Sequence, residues 1–358
     1  MIKIHKKNSD INYEKCKVSI IIPCRNEEEY IAKCLDSIVT QDYPMHNLEI
    51  LVVDGISEDN TIQIVENYRK KYLPIKILKN PKKNTSYACN LGVNHSATNI
   101  IMIIGAHSTL GKNYISKSVK YLHEHNADNV GGLLVVLPGD KKMLAESIAL
   151  VLSHPFGVGN AYFRIGLKEP KYVETVFGGC YRKEVFDKIG LFNNKLIRNQ
   201  DLEFNLRLKK AGGKILLVPD IVGYYYARST LKTLAKNNFS NGFWIIYSTK
   251  FAKIPFSIRH LIPFFFVLSV CGNLILSFIY KPFLYLFILI LIAYLTLNIL
   301  FSLGISFKKG FKYFIPVVLS FATLHFSYGF GSIWGMVKLF YSILTSKREK
   351  INKTKSVD

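Results

Sequence analysis

Apolar residues fall in short, near-continuous runs over the first 220 positions and in long runs after residue 260. "VSIIIP" (18–23), "LEILVVD" (48–54), "IKIL" (75–78) and Asn99–Ile104 have the length and texture of buried strands. Helical spacing separates them. Ile31, Leu35, Ile38 and Val39 share one face, and Asn26 and Glu29 ahead of them are spaced as a capping box. Ser57–Lys71 and Ser86–Ser96 read as the next two helices. Apolar strands alternating with helices predict an α/β fold with a mostly parallel sheet covered on both faces. Such sheets bind ligands beyond the carboxyl ends of their strands. Pro23, Asp54 and Gly105 stand at those ends, so Asp54 and His107 are expected on one side of the sheet. Beyond Gly131 the pattern loosens. It resumes with a strand at Thr175–Cys180, helices at Arg182–Ile189 and Asp201–Ala211, and a last strand, "KILLVP".

After about Arg259 the texture changes. His260–Tyr280 and Pro282–Gly304 carry no charge and are about 20 residues long, enough to cross a bilayer. A third apolar stretch, Phe311–Leu344, contains "YGFGSIWG", which reads as an interruption. That leaves two or three spans, the third segment being one span plus an interfacial helix, or a re-entrant or surface-lying segment. The loop "SFKKGFK" and the tail "KREKINKTK" are both basic, and simple alternation cannot place both on the inner side if the third stretch spans once.

Charge sharpens this division. The net charge is +22, and no acidic residue occurs between Asp220 and Glu349. Arg228, Lys232, Lys236, Lys250, Lys253 and Arg259 instead form a basic collar ahead of the apolar region, as expected at an anionic membrane surface. Nucleic-acid binding is disfavoured, because these cations flank membrane segments and not an aromatic-studded sheet. The six cysteines are scattered with no CxxC pair, which indicates neither a zinc site nor a disulfide framework and fits a reducing cytosol. The polar, basic start of the chain lacks the apolar core of a secretory signal. The expected segments are an extension (1–16), an α/β domain (17–225), a basic amphipathic interface segment (226–259), a membrane region (260–345) and a basic tail (346–358).

Five strings in order, "VSIIIPCRNEEEYIAKCLDSIVTQDYP", "EILVVDGISEDNT", "NTSYACNLGV", "FGGCYRKEVFDKIGLFNNKL" and "NQDLEFNLRLKKAGGKI", resemble glycosyltransferase family 2. With "ARSTLKTLAKNNFSNGFW" and the apolar segments, the chain is most similar to that family's membrane-associated, succinoglycan-type branch. The resemblance implies a GT-A nucleotide-sugar-binding fold and an inverting sugar transfer from a donor, UDP-linked by expectation, to a polyprenyl-diphosphate-linked glycan in cell-surface polysaccharide synthesis. It places the enzyme in the plasma or inner membrane as a multi-pass protein with its catalytic domain in the cytoplasm. Asp54 matches the position that accepts from the uracil N3–H. Pro23, Cys24, Asn26 and Glu27 match the loop along base and ribose, and Asn84 and Gly105 are also assigned to the donor. Gly179 and Gln200 are assigned to the acceptor. Asp201 matches the catalytic base, with Glu203 a weaker candidate. Arg228 is expected on a diphosphate or lipid phosphate.

The chain departs from the family at its metal motif. Two aspartates around one residue are replaced by Gly105-Ala106-His107, and even the succinoglycan-type pattern, Asp-Ala-His, is not kept. His107 therefore either holds a divalent ion, with Mn²⁺ preferred over Mg²⁺, or donates to phosphate. The Gln-x-x-Arg-Trp motif of the processive synthases is absent, which favours one sugar per encounter. A polyprenyl-phosphate hexose synthase and an inactive membrane scaffold are the competing readings.

Overall fold

The computed structural model describes residues 13–251 and 257–355. Most of the extension, Lys253 of the collar and the last residues of the tail lie outside the described residues. The chain forms two compact units, residues 1–137 with 161–226, and residues 138–160 with 227–358.

The first unit is built on a mixed sheet. Its strands are β1 (Val18–Cys24), β2 (Leu48–Asp54), β3 (Ile75–Lys79), β4 (Ile100–Ile103), β5 (Ser108–Leu110), β6 (Asn129–Leu137), β7 (Lys171–Tyr172), β8 (Phe177–Arg182) and β9 (Ile215–Tyr226). They lie in the order β3-β2-β1-β4-β8-β6-β9-β5, with β7 also on β9. The expectation of a mostly parallel sheet holds for β3, β2, β1 and β4, which are all parallel. Beyond them the sheet is mixed: β8 runs antiparallel to both β4 and β6, β6 and β9 are parallel, and β5 and β7 run antiparallel to β9. Of these later strands, β8 and β9 overlap the expected runs at Thr175–Cys180 and "KILLVP", whereas β5 and β7 are too short and β6 starts too rich in glycine to show one.

Helices α1 (Ile31–Val39), α2 (Thr61–Lys71), α3 (Thr85–His95) and α4 (Tyr114–Glu124) belong to this unit. Successive strand residues point to opposite faces. Ile20, Ile22, Ile50 and Val52 therefore meet α1 and α4 through Ile31, Leu35, Ile115 and Val119. Ile21, Leu51 and Val53 meet α3 on the other face, through Ala88, Cys89 and Val93. Burial on both faces explains why these strands read as unbroken apolar runs.

The capping box is not formed. Helix α1 begins at Ile31, with Tyr30 at its N-cap and no side-chain cap. Asn26 instead takes a left-handed conformation (φ 54). Its Oδ1 accepts from the Glu58 N–H and its own N–H donates to Ser57 Oγ, each at 2.9 Å. The Asn-x-x-Glu spacing was real, but Asn26 is claimed by the loop after β2.

The second unit takes in α5 (Met143–Val151) and α6 (Pro155–Val158), a segment that the sequence reading left inside the α/β domain. The first unit resumes with α7 (Tyr162–Ile165), α8 (Glu184–Ile189) and α9 (Gln200–Lys210). The second continues with α10 (Leu231–Tyr247), α11 (Ile262–Ser277), α12 (Pro282–Lys309) and α13 (Phe314–Lys355). Among the described residues, three segments are long and apolar enough to cross a membrane: Ile258–Ser277, Pro282–Lys309 and Phe311–Thr345. Helix α13 runs unbroken through "YGFGSIWG" for 42 residues, about 63 Å at 1.5 Å per residue. The expected interruption and re-entrant turn are therefore absent from it.

The glycines serve packing. A Cβ at Gly331 would lie 2.0 Å from Phe239 O, and one at Gly242 would lie 2.0 Å from Tyr328 O, so α10 and α13 touch backbone to backbone. This is the small-residue crossing that apolar helices favour. On α10, Leu234, Asn238, Gly242, Ile245 and Ile246 are buried, while Lys232 and Lys236 are exposed. Helix α10 thus has one buried, mostly apolar face and one exposed face that carries lysines. Two polar side chains of the helices pair with each other and with α6: Tyr294 Oη donates to His325 Nδ1 (3.1 Å), and His325 Nε2 donates to Phe156 O (2.8 Å).

Candidate active site

The register of β1 and β2 sets Cys24 beside Asp54 at the carboxyl edge of the sheet. Asp54 is buried, and its carboxylate accepts from the Ser57 N–H (3.1 Å) and hydroxyl (2.5 Å). Helix α2 starts only at Thr61, so Asp54 braces the loop before the helix and does not cap it. Cys24 Sγ lies 4.0 Å from Asp54 Oδ1, and burial followed by this carboxylate pushes its thiol pKa up. A neutral thiol thus lines the loop that Pro23 opens.

His107 sits between β4 and the three-residue β5, a strand the sequence reading missed. Pairing of β5 with Tyr224 and Tyr225 of β9 fixes what the imidazole meets. Nδ1 donates to Glu27 Oε1 at 3.1 Å, and the ring lies edge-on to Tyr225 at 5.4 Å between centroids. Glu27 thereby orients the ring, with Nε2 on its other edge. Gly105 is not in the left-handed region, and a Cβ there would meet Ser108 Oγ at 3.6 Å and His107 Nε2 at 4.0 Å, ordinary contacts. The position therefore admits a side chain that the sequence does not supply.

Among the described residues no group of three His, Cys, Asp or Glu side chains could hold a metal ion. The donor set here is one imidazole and one carboxylate already bonded to each other, and Gly105 offers nothing. These residues do not fit a divalent ion held by the protein.

The third cluster lies at the start of α9. Asp201 is in its first turn; its side chain reaches solvent, yet protein surrounds it closely. Desolvation raises its pKa above the usual aspartate value, against the pull of the Leu202 and Asp201 peptide N–H groups. Its charge reaches Cys89 of α3, whose thiol is pushed up to about 12 chiefly by burial. Asn205, one helical turn on, ties α9 to the sheet: its Oδ1 accepts from Asn129 Nδ2 (3.0 Å) and Tyr181 Oη (3.2 Å). Glu203 is buried, and both of its oxygens are engaged by Arg207 at 2.7 and 3.0 Å.

The other expected residues are placed as follows. Asn84 caps α3, accepting from the Ser86 N–H (2.8 Å) while its Nδ2 donates to Asn194 O (3.0 Å). Gly179 is buried where a Cβ would lie 2.6 Å from the Tyr181 ring. Gln200 opens α9. Arg228 is exposed and belongs to the second unit.

Two residues were missed. Asn199, at the N-cap of α9, is left-handed (φ 59), and its buried Nδ2 has no hydrogen-bond partner. Arg164, in α7, likewise has a buried Nη1 with no hydrogen-bond partner among the described residues. Arg164 stands in no recognised motif, whereas Asn199 opens the string "NQDLEFNLRLKKAGGKI", directly before the Gln200-Asp201 pair.

The family model described as Glycosyl transferase family 2 matches residues 19–190. The chain is 35% identical over 274 residues to a dolichyl N-acetyl-alpha-D-glucosaminyl phosphate 3-beta-D-2,3-diacetamido-2,3-dideoxy-beta-D-glucuronosyltransferase of Methanococcus voltae, covering 74% of this chain and 84% of that protein. It is 26% identical over 225 residues to the succinoglycan biosynthesis protein ExoA of Rhizobium meliloti, covering 62% of this chain and 67% of the other. In fold it is similar to a mannosyltransferase of Pyrobaculum calidifontis solved with GDP-mannose and Mn²⁺, with a TM-score of 0.59 at 15% identity over 89% of this chain and 87% of that one. Motif order, GT-A sheet and these likenesses agree: the chain belongs to glycosyltransferase family 2 and is a glycosyltransferase.

Proposed function

We propose that this enzyme is a membrane-bound inverting transferase that moves one sugar from a nucleotide sugar, UDP-linked by the Asp54 chemistry, to a glycan carried on a polyprenyl-type lipid through phosphate. The observation that carries the reading is Asp201: a solvent-reachable carboxylate made more basic by the protein around it, at the start of a helix anchored to the sheet. Its carboxylate takes the proton of the acceptor hydroxyl as that oxygen attacks the anomeric carbon. The bond from that carbon to the diphosphate breaks on the opposite face, and its electron pair leaves with the nucleoside diphosphate. Asp54 accepts from the base, and Cys24 and Pro23 line its loop. Glu27 holds His107 so that Nε2 faces the leaving group or its phosphate.

A lipid-linked acceptor is supported by the Methanococcus relative, whose name specifies a dolichyl phosphate-linked sugar, and by three helices long enough to span a membrane. A cytoplasmic catalytic unit fits a nucleotide-sugar donor and the basic, acid-free segment before the spans. The residues at Gly105 and His107 do not fit a protein-held metal.

The test is a donor screen with full-length protein in detergent, reading release of UDP or GDP, followed by mass analysis of the lipid product. Addition of one sugar to a lipid-linked glycan is the expected result. A single sugar placed directly on polyprenyl phosphate would identify a hexose synthase, and absence of transfer from any donor would contradict the reading.

A further inference from the structure

Arg164 is a cation without a partner inside the candidate site. Its Nη1 is buried and has no hydrogen-bond partner among the described residues. The guanidinium carbon lies 5.4 Å from the centre of the Phe163 ring and 5.7 Å from that of Tyr225. Tyr225 is the ring that meets His107 edge-on at 5.4 Å. The arginine is thus one aromatic ring away from the place where the family's metal motif has lost its carboxylates. Burial lowers its pKa and Tyr225 opposes that, but a guanidinium starts so high that it stays charged. A buried unpaired charge is strongly destabilising, and each such orphan calls for an explanation. The two rings hold it in place without consuming its N–H donors.

We infer that Arg164 is the phosphate-binding cation of this site, its planar fork taking the oxygens of a substrate phosphate. This rests on the transferase reading above. Two substrates carry that chemistry, the diphosphate of the donor and the phosphate of the lipid-linked acceptor. On the donor, Arg164 balances the charge that develops when the anomeric bond breaks and both electrons stay on the diphosphate oxygen. No proton moves to or from the arginine. A guanidinium suits this because it pairs bidentately with phosphate and needs no metal ligands around it.

The experiment compares full-length parent, Arg164→Met and Arg164→Lys in detergent. Binding of UDP, of uridine and of a short-chain polyprenyl phosphate is measured by calorimetry, together with the melting temperature of the ligand-free protein. For donor recognition, Arg164→Met loses about 10- to 100-fold in UDP affinity, the range of charge-assisted hydrogen bonds. Uridine binds as before, and the ligand-free protein melts no lower than the parent, since a buried unpaired charge has gone. Arg164→Lys recovers part of the UDP loss. For acceptor recognition, the same loss falls on polyprenyl phosphate while UDP is unaffected. The inference is overturned if neither phosphate ligand weakens, or if uridine and UDP weaken together with a drop in melting temperature, which marks a structural arginine. A parent that binds no nucleotide and transfers no sugar would sink the transferase reading itself and this role with it.

Discussion

Replacing Gly105 with aspartate should create the divalent-ion site that the sequence lacks. The backbone is not left-handed, and a Cβ at this position would stand 3.9 Å from His107 Cε1 and 4.0 Å from Nε2, so the carboxylate is accommodated beside the imidazole. Glu27 holds the opposite ring nitrogen at 3.1 Å. Without metal, two carboxylates on the order of 6 Å apart repel by about 3 kcal/mol at an effective dielectric of 20. His107 is 42% exposed, and solvent reduces that repulsion to about 1 kcal/mol. With metal at 100 times its dissociation constant, binding contributes about 2.7 kcal/mol of stability, a rise of roughly 5–10 °C in melting temperature for a unit of this size. The assay is thermal melting of Gly105→Asp and parent with EDTA and with increasing Mn²⁺. The variant should melt slightly below the parent in EDTA and well above its own EDTA value in Mn²⁺, while the parent should melt alike in both and keep its activity in EDTA. A variant indifferent to Mn²⁺, or a parent silenced by EDTA, would refute the reasoning.

Three further outcomes follow from individual contacts. Glu203→Gln removes the charge paired with Arg207, which keeps its bonds to the Ile189, Gly190 and Leu191 carbonyls, so it should cost about 1–3 kcal/mol in chemical denaturation while turnover per folded molecule stays near the parent's; a selective loss of turnover would favour Glu203 as base. Gly331→Ala should lower the melting temperature in detergent, because its Cβ meets Phe239 O at 2.0 Å, whereas Gly272→Ala, with nothing within 4 Å, should be neutral or stabilising; equal effects would contradict the close crossing. Asn199→Gly keeps the left-handed backbone and removes the unpartnered amide, so the acceptor KM should rise about fivefold, the scale of one hydrogen bond, with stability unchanged; an unchanged KM would assign Asn199 a purely structural place.

What the sequence revealed depended on how local the signal was. Strands β1 to β4 were legible because burial on both faces makes them continuous apolar runs, and Asp54 was legible because it ends one. In the mixed half β8 and β9 were legible, but β5, β6 and β7 were not, since β5 and β7 are very short and β6 carries Gly131 and Gly132. Gly132 packs against Ile221 O, where β9 slips register along β6, and no local pattern announces that. His107 was recognised from its place in a motif, but its partners come from residues 80 and more than 100 positions away. Arg164 depends on tertiary contacts alone. The glycines of α13 misled in the opposite direction: in water they weaken a helix, but against another apolar helix they permit close approach. Asn26 shows the limit of spacing rules, because a second loop competed for the same side chain and won.

The central claim is that Asp201 takes the acceptor proton in a sugar transfer. The most direct measurement is the pH profile of nucleotide release for parent and Asp201→Asn, each at saturating donor and acceptor. The base must be ionised, so the parent's rate should rise with pH through a limb set above that of an ordinary aspartate, because desolvation raises this pKa. Asp201→Asn should still bind donor, lose about 100-fold or more in turnover, and show no such limb. A variant that turns over near the parental rate with the acidic limb intact would contradict the account.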